Sequence, residues 1–229
     1  IFAGNWATNA VFALDGDGTL LWTRTPLHGT LQGYWGTPAA GDVDRDGHNE
    51  LFAPSKDGRL YAWNHDGSPL LPTYSDGTFA LVAAYSRSSP ALGNLDDDFA
   101  LEIVMTDVSG NLYAWNHDGS SLPGFPLATG WSFFNSPVLG DVDGDGKLEI
   151  AGSIYDATAD KTWHTFLLDA LTGFLRAMMP LLNRQHLALG EELVAVRRYL
   201  ESTLPLRKKA GGDAETGPLF INARGGRLS

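Results

Sequence analysis

The stretch Gly140-Asp-Val-Asp-Gly-Asp-Gly-Lys-Leu-Glu-Ile150 places alternating acidic side chains directly before an apolar run. Its carboxylates are Asp141, Asp143, Asp145 and Glu149. Alternate side chains of a tight loop turn toward one point, where unpaired carboxylates repel one another and a hard cation such as calcium relieves the repulsion. Gly146 stands where the loop must bend, and glycine adopts a positive φ without steric cost. The stretch therefore predicts a cation loop before a strand. It is not an EF-hand, because position twelve is Gly152 rather than a bidentate Glu.

The same pattern occurs three times in the chain. Copies begin at Pro38, Pro90 and Pro137, with spacings of 52 and 47 residues. Each copy continues with a second shared piece, and residues 58–68 match residues 110–120 at every position but one. A half-copy precedes them at residues 9–18, and a fainter one follows at 165–173. A period of this length is typical of propellers and other repeat architectures.

Short runs of Val, Ile, Leu, Tyr and Trp, separated by Asp-Gly turns at 57–58, 66–67 and 118–119, predict strands and hairpins within each unit. About four strands per unit of roughly 45–50 residues are typical of a propeller blade. We therefore predict an all-β fold, a partial β-propeller of about three and a half four-stranded blades, followed by a short α/β tail. Trp63 and Trp115 recur inside a strand, so we expect them to pack between blades rather than to stack on sugars.

Composition divides the chain into two segments. The formal net charge is −11, but residues 1–180 carry −14 and residues 181–229 carry +3. The acidic segment repels phosphates, so nucleic acid is an unlikely partner for residues 1–178 and a weak candidate for 179–229. There is no cysteine, which excludes disulfides and thiolate chemistry, and no apolar run reaches the roughly 18–20 residues of a membrane span.

The pattern changes near residue 181. Residues 190–203 predict an amphipathic helix, a polar linker occupies 207–217, and a short strand is predicted at 219–222. We therefore predict two domains, propeller blades over 1–178 and a different fragment over 179–229. Because most propellers close with four to eight blades, we expect an internal fragment, or a fusion of two coding pieces joined near 175–185.

The repeated Asp-x-Asp-x-Asp-Gly-x-x-Glu loop before a strand resembles the FG-GAP/VCBS repeat, the calcium-binding propeller blade of integrin α subunits and many secreted bacterial proteins. The resemblance covers about residues 5–178. It implies Ca²⁺ as the cofactor, with carbonyl groups of His48 and Lys147 among the ligands. The full implied sets are Asp42, Asp44, Asp46, His48 and Glu50 in the first loop and Asp141, Asp143, Asp145, Lys147 and Glu149 in the third.

The middle copy departs from this pattern at two positions. Its implied ligands are Asn94, Asp96, Asp98, Ala100 and Glu102. Asn94 removes one charge, and Phe99 replaces the glycine at the bend, where a positive φ strains a bulky side chain. We therefore expect this site to be weak or empty.

The tail is similar to part of a tyrosine recombinase catalytic domain, over fewer than fifty residues, in 187–201 and 217–229. The His-x-x-Arg pair and the nucleophilic tyrosine of that family have no counterpart in this sequence, so the resemblance does not imply strand cleavage.

No complete catalytic constellation is visible, and we expect a protein that is not an enzyme. The leading hypothesis is a calcium-binding, extracellular or cell-surface repeat module for binding, adhesion or scaffolding, with a protein or carbohydrate ligand. The alternatives are a non-catalytic remnant of a DNA-acting tyrosine recombinase fused to propeller repeats, and an accessory propeller of a secreted hydrolase or lyase.

Overall fold

The computed structural model describes residues 2–5, 10–25, 33, 36–96, 98–130, 132–142, 144, 146–155, 163–169 and 175–180. Within these ranges every regular element is a strand, and no helix has the length and hydropathy that crossing a bilayer requires. The predicted tail helix and tail strand lie outside the described residues.

The strands form four antiparallel sheets, called blades 1 to 4 here. Blade 1 contains β1 (Phe2–Asn5), β2 (Ala10–Leu14) and β3 (Leu20–Arg24). Blade 2 contains β4 (Ala39–Gly41), β5 (Glu50–Pro54), β6 (Arg59–Trp63) and β7 (Thr78–Leu81). Blade 3 contains β8 (Ala91–Gly93), β9 (Glu102–Thr106), β10 (Asn111–Trp115) and β11 (Leu127–Ala128). Blade 4 contains β12 (Ser132–Phe133), β13 (Val138–Gly140), β14 (Glu149–Tyr155), β15 (Trp163–Asp169) and β16 (Leu175–Pro180).

Blades 2 and 3 have the four-stranded meander that the repeat predicts, with strands in sequence order across each sheet. Blade 1 has three described strands, in agreement with the half-copy at residues 9–18. In blade 4, β12 and β13 both pair with β14, which gives five strands. The last strand ends at Pro180, slightly beyond the predicted domain boundary at 178.

Successive blades pack face to face because the side chains of each strand alternate between two cores. In β5, Leu51 and Ala53 enter the core shared with blade 1, whereas Phe52 enters the core shared with blade 3. In β9, Ile103 faces blade 2 and Val104 faces blade 4. All five residues of β5 and of β9 are buried, as expected for a sheet that is covered on both faces.

The two repeated tryptophans lie in these cores, as predicted. Trp63 is 1% exposed and lies 6.3 Å from the Trp22 ring of blade 1. Trp115 is 4% exposed and meets Phe79 of blade 2 edge to face at 6.2 Å. Both are inter-blade packing residues.

A buried polar network fixes the connection between blades 2 and 3. The Tyr113 hydroxyl donates to Asp107 Oδ2 at 2.9 Å and accepts from the Ala83 backbone N–H at 2.8 Å. Asp107 also accepts from the backbone N–H groups of Ser109 and Asn111. Burial, followed by the hydrogen bond to Asp107 and the Asp107 charge, raises the pKa of Tyr113 to about 12, so its hydroxyl keeps its proton at neutral pH.

We predict that Tyr113→Phe lowers the free energy of unfolding by about 1–3 kcal/mol, because Ala83 and Asp107 each lose a hydrogen-bond partner at a buried position. Urea unfolding checks this. Tyr74→Phe, at a side chain 49% exposed, is the control and is expected to change stability by less than about 0.5 kcal/mol. Equal effects of the two substitutions would contradict the role of the network.

Candidate metal centre

The three repeated acidic loops occupy the same place in consecutive blades. They connect β4 to β5, β8 to β9 and β13 to β14, in each case a three-residue strand to the strand that begins with Glu. Strand pairing sets each Glu directly opposite the glycine that precedes the loop, as in the pair of Gly41 with Glu50. The other two pairs are Gly93 with Glu102 and Gly140 with Glu149. In all three blades, the strand register therefore places the glycine before the loop beside the glutamate at its end.

Each of these glutamates is buried and aimed back into its loop. Glu50 and Glu102 are 0% exposed, and Glu149 is 1% exposed. In all three loops, Oε2 accepts the backbone N–H of the residue after the first ligand. The donors and distances are Val43 at 2.9 Å, Leu95 at 2.5 Å and Val142 at 2.8 Å. This hydrogen bond uses Oε2, and in Glu50 and Glu102 the other oxygen, Oε1, is buried without a hydrogen-bond partner among the described residues.

The first and third loops share the sharp bend that the sequence predicts. Asp42 Oδ2 accepts the Gly47 N–H at 3.2 Å, and Asp141 Oδ2 accepts the Gly146 N–H at 3.1 Å. Gly47 has φ 91° and Gly146 has φ 89°, conformations that a residue with a Cβ rarely adopts. The bend glycine therefore has the role assigned to it from sequence.

Carboxylate oxygens converge in the first and middle loops. Asp42, Asp44 and Glu50 each bring one oxygen within 4.8 Å of the others. Asp96, Asp98 and Glu102 do the same in the middle loop. The predicted ligand Asp46 stands outside the first group, and its Oδ1 accepts the His48 N–H at 2.8 Å. In the third loop Asp141 accepts the Gly146 N–H and Glu149 accepts the Val142 N–H, whereas Asp143 and Asp145 lie outside the described residues.

Several buried oxygens of these loops have no hydrogen-bond donor among the described residues. They are Asp42 Oδ1, Glu50 Oε1 and Glu102 Oε1. Buried polar atoms in proteins nearly always have a partner, and an unpaired one is costly. An all-oxygen set with buried, unpartnered carboxylate atoms fits a hard divalent cation such as calcium.

Charge repulsion within the loops changes the acidity of the two glutamates. Burial raises the pKa of Glu50, and the charges of Asp44, Asp46 and Asp42 raise it further. Burial likewise raises the pKa of Glu102, with additional contributions from Asp96 and Asp98. Without a cation, the folded protein therefore resists ionising both side chains.

We predict that this effect makes the ion-free protein less stable as pH rises. The folded-state pKa of Glu50 lies above its ordinary value of 4.5, so its contribution is fully present below pH 4.5 and is lost as pH rises through the folded pKa. Urea unfolding in EDTA at pH 5 and pH 7 measures the difference. Glu50→Gln removes the titrating group and is expected to flatten this dependence. An identical pH dependence in both proteins would contradict the prediction.

The middle loop does not show the positive φ, and so the backbone strain, that the sequence predicts at Phe99. Among the described residues other than glycine, only Arg45 has a positive φ, at 63°. Phe99 therefore does not adopt the glycine conformation of Gly47 and Gly146, and its side chain is 86% exposed. Asn94 also acts differently from Asp42, because its Nδ2 donates to the Asp98 carbonyl instead of its side chain accepting a loop N–H. The middle loop reaches a similar carboxylate cluster by a different bend.

Arg45, which is not among the predicted site residues, contacts the neighbouring loop through the Phe99 carbonyl. The signal was present in the repeats, because the third copy has Gly144 at the equivalent position, with φ 80°. A glycine in one copy of a repeat indicates that the backbone there takes a positive φ.

No protein-family profile and no curated protein matches this chain. Solved structures do match. The WD40 β-propeller domain of Doa1 aligns with 79% of this chain and 50% of its own, at 17% identity and a TM-score of 0.50. BBS1N in complex with ARL6DN aligns with 80% of this chain and 46% of its own, at 10% identity and a TM-score of 0.49. The Bacillus licheniformis rhamnogalacturonan lyase aligns with 73% and 30%, at 19% identity and a TM-score of 0.42.

The chain has a β-propeller fold, and the prediction of an all-β, partial propeller is confirmed. It spans about half the length of the Doa1 propeller domain. At such identities the likeness concerns the fold alone.

Proposed function

We propose that this chain is part of a non-enzymatic binding or scaffold module, a β-propeller of the FG-GAP/VCBS type whose blades are fixed by calcium. The observation that carries the proposal is the pair of fully buried glutamates, Glu50 and Glu102, each with one oxygen bonded to its own loop and the other unpartnered inside an acidic cluster.

Asp42, Asp44 and Glu50 would hold the ion in the first loop, and Asp141 and Glu149 with Asp143 and Asp145 in the third. The bound ion supplies positive charge that offsets the mutual repulsion of the carboxylates. The chain itself positions the ligand oxygens, because strand pairing and the Glu-to-backbone hydrogen bond hold them in place.

The recurrence of the loop in successive blades favours a structural ion over a catalytic one, because a catalytic site is expected once in a chain. The acidic surface and the broad face of a propeller suit a protein or carbohydrate partner. Extracellular modules bind calcium with dissociation constants of roughly 10⁻⁴–10⁻³ M, which suits action outside the cell or at its surface. The recombinase-like tail and the accessory role in a secreted hydrolase or lyase have no described residue that favours them.

Isothermal titration calorimetry with calcium tests this proposal, with magnesium as the comparison ion. We expect saturable calcium binding with more than one ion per chain and weaker binding of magnesium, which dehydrates reluctantly and demands octahedral geometry. Glu50→Gln is expected to remove one ion. A chain that binds no calcium at millimolar concentration would refute the proposal.

A further inference from the structure

The loops of blades 2 and 3 are joined to each other directly. The Leu101 backbone N–H donates to the Val43 carbonyl at 3.0 Å. The Arg45 guanidinium Nε donates to the Phe99 carbonyl at 2.6 Å. Val43 lies between two ligand candidates of the first loop, and Phe99 and Leu101 flank Ala100 in the middle loop. Both contacts therefore connect one acidic cluster to the next.

The conformation of Arg45 indicates that the contact between the loops matters to the fold. Its φ of 63° is one that side-chain-bearing residues rarely adopt, and the third copy has Gly144 at the equivalent position. An arginine at this position strains the backbone unless its side chain makes a compensating interaction. The hydrogen bond to the Phe99 carbonyl is such an interaction, since a charged donor makes a stronger bond than a neutral one.

The middle loop lacks the glycine bend and the side-chain hydrogen bond that shape the first and third loops. It has no glycine at the bend, and its Asn94 side chain does not accept the bend N–H. It nevertheless brings oxygens of Asp96, Asp98 and Glu102 within 4.8 Å, with Glu102 Oε1 buried and unpartnered. The added support comes from outside the loop, at the Phe99 carbonyl that stands where the bend glycine is missing.

We propose that the middle loop is a working calcium site whose ligand geometry is set by Arg45 of the neighbouring blade, so that the first and middle loops bind calcium cooperatively. This inference rests on the proposed calcium-dependent module. The coupling follows from the two contacts, because an ion that fixes Asp42, Asp44 and Glu50 also fixes Val43 and Arg45, and these hold Leu101 and Phe99. The middle carboxylates are then preorganised before their own ion arrives.

Electrostatics alone predicts the opposite effect of Arg45. Its guanidinium is a positive charge beside two cation sites, so its removal by itself strengthens calcium binding at both loops. The positioning role predicts weaker binding at the middle loop when Arg45 is removed. The sign of the change therefore separates the two explanations.

Arg45→Gly is the test variant, because glycine accepts the positive φ while it removes the guanidinium that contacts Phe99. Hydrogen–deuterium exchange read by mass spectrometry, over a calcium titration, gives a separate midpoint for peptides covering 42–50, 94–102 and 141–149. We expect the midpoint of 94–102 to rise at least about fivefold in the variant, the lower end of typical coupling between sites. The midpoint of 141–149 is expected to stay unchanged and serves as the internal control.

The outcomes separate the inference from the proposed function. If no peptide responds to calcium in the unmodified chain, the proposed function fails. If 42–50 and 141–149 respond but 94–102 does not, the inference fails and the proposed function stands. An unchanged or lower midpoint of 94–102 in Arg45→Gly also overturns the inference. Thermal melts of Arg45→Gly and the unmodified chain in EDTA check that the variant is folded.

Discussion

Replacing Trp63 with alanine is expected to lower the free energy of unfolding by about 3–5 kcal/mol, the usual cost of deleting a fully buried tryptophan. Its indole is 1% exposed, stacks on Tyr61 with centroids 5.7 Å apart and lies 6.3 Å from Trp22 of blade 1. The cavity would open between blades 1 and 2, where both sheets contribute to one core.

Urea unfolding followed by far-ultraviolet circular dichroism measures the loss. Phe99→Ala is the control, because that aromatic side chain is 86% exposed and its removal is expected to change stability by less than about 0.5 kcal/mol. A loss below about 1 kcal/mol for Trp63→Ala would mean that Trp63 does not pack between blades, and would reopen the sugar-stacking alternative.

Glu50→Gln is expected to change stability in opposite directions with and without calcium. In EDTA, the amide removes a buried charge and its repulsion with Asp42 and Asp44, while its oxygen still accepts the Val43 N–H. The ion-free variant is therefore expected to be at least as stable as the unmodified chain. In calcium, the unmodified chain gains the free energy of ion binding, about 2.7 kcal/mol per site at a concentration 100-fold above the dissociation constant. The variant loses this contribution at the first loop.

Thermal unfolding of Glu50→Gln and the unmodified chain, in EDTA and in calcium, measures this change in the sign of their stability difference. Asp17→Asn removes one acidic charge from an exposed turn in blade 1, outside the three loops, and is expected to keep the full calcium shift. If Glu50→Gln and Asp17→Asn show the same calcium shift, Glu50 is not a ligand.

Much of this fold was predictable from local patterns. The repeat predicts the blades, because strands, Asp-Gly turns and a tryptophan (Trp63 or Trp115) recur at matching positions in successive units. The glutamates Glu50 and Glu102 were predictable as loop-closing acids, because each begins a buried strand at a fixed distance from the first acid or amide. Strand register then brings each one back beside its loop, as the pairing of Gly41 with Glu50 shows.

The shape of the middle loop was not predictable in this way. The expectation of strain at Phe99 assumed that the bend seen at Gly47 and Gly146 is the one route to an acidic cluster. The structure uses a different bend, and Arg45 supports it from a distance of 54 residues along the chain. A contact of this range depends on how two blades pack, which no single loop sequence specifies. The tail and the predicted third-loop ligands Asp143 and Asp145 lie outside the described residues, and the ligand roles in all three loops stay predictions.

The central claim, that calcium fixes these blades, is tested most directly by the melting temperature of the unmodified chain in millimolar calcium and in EDTA. For a dissociation constant of roughly 10⁻⁴ M, 1 mM calcium adds about 1.4 kcal/mol per ion, which corresponds to a rise of roughly 3–6 °C for a protein of this size. We predict a rise of at least that order in calcium and its reversal by EDTA. An identical melting temperature in the two conditions would contradict the account.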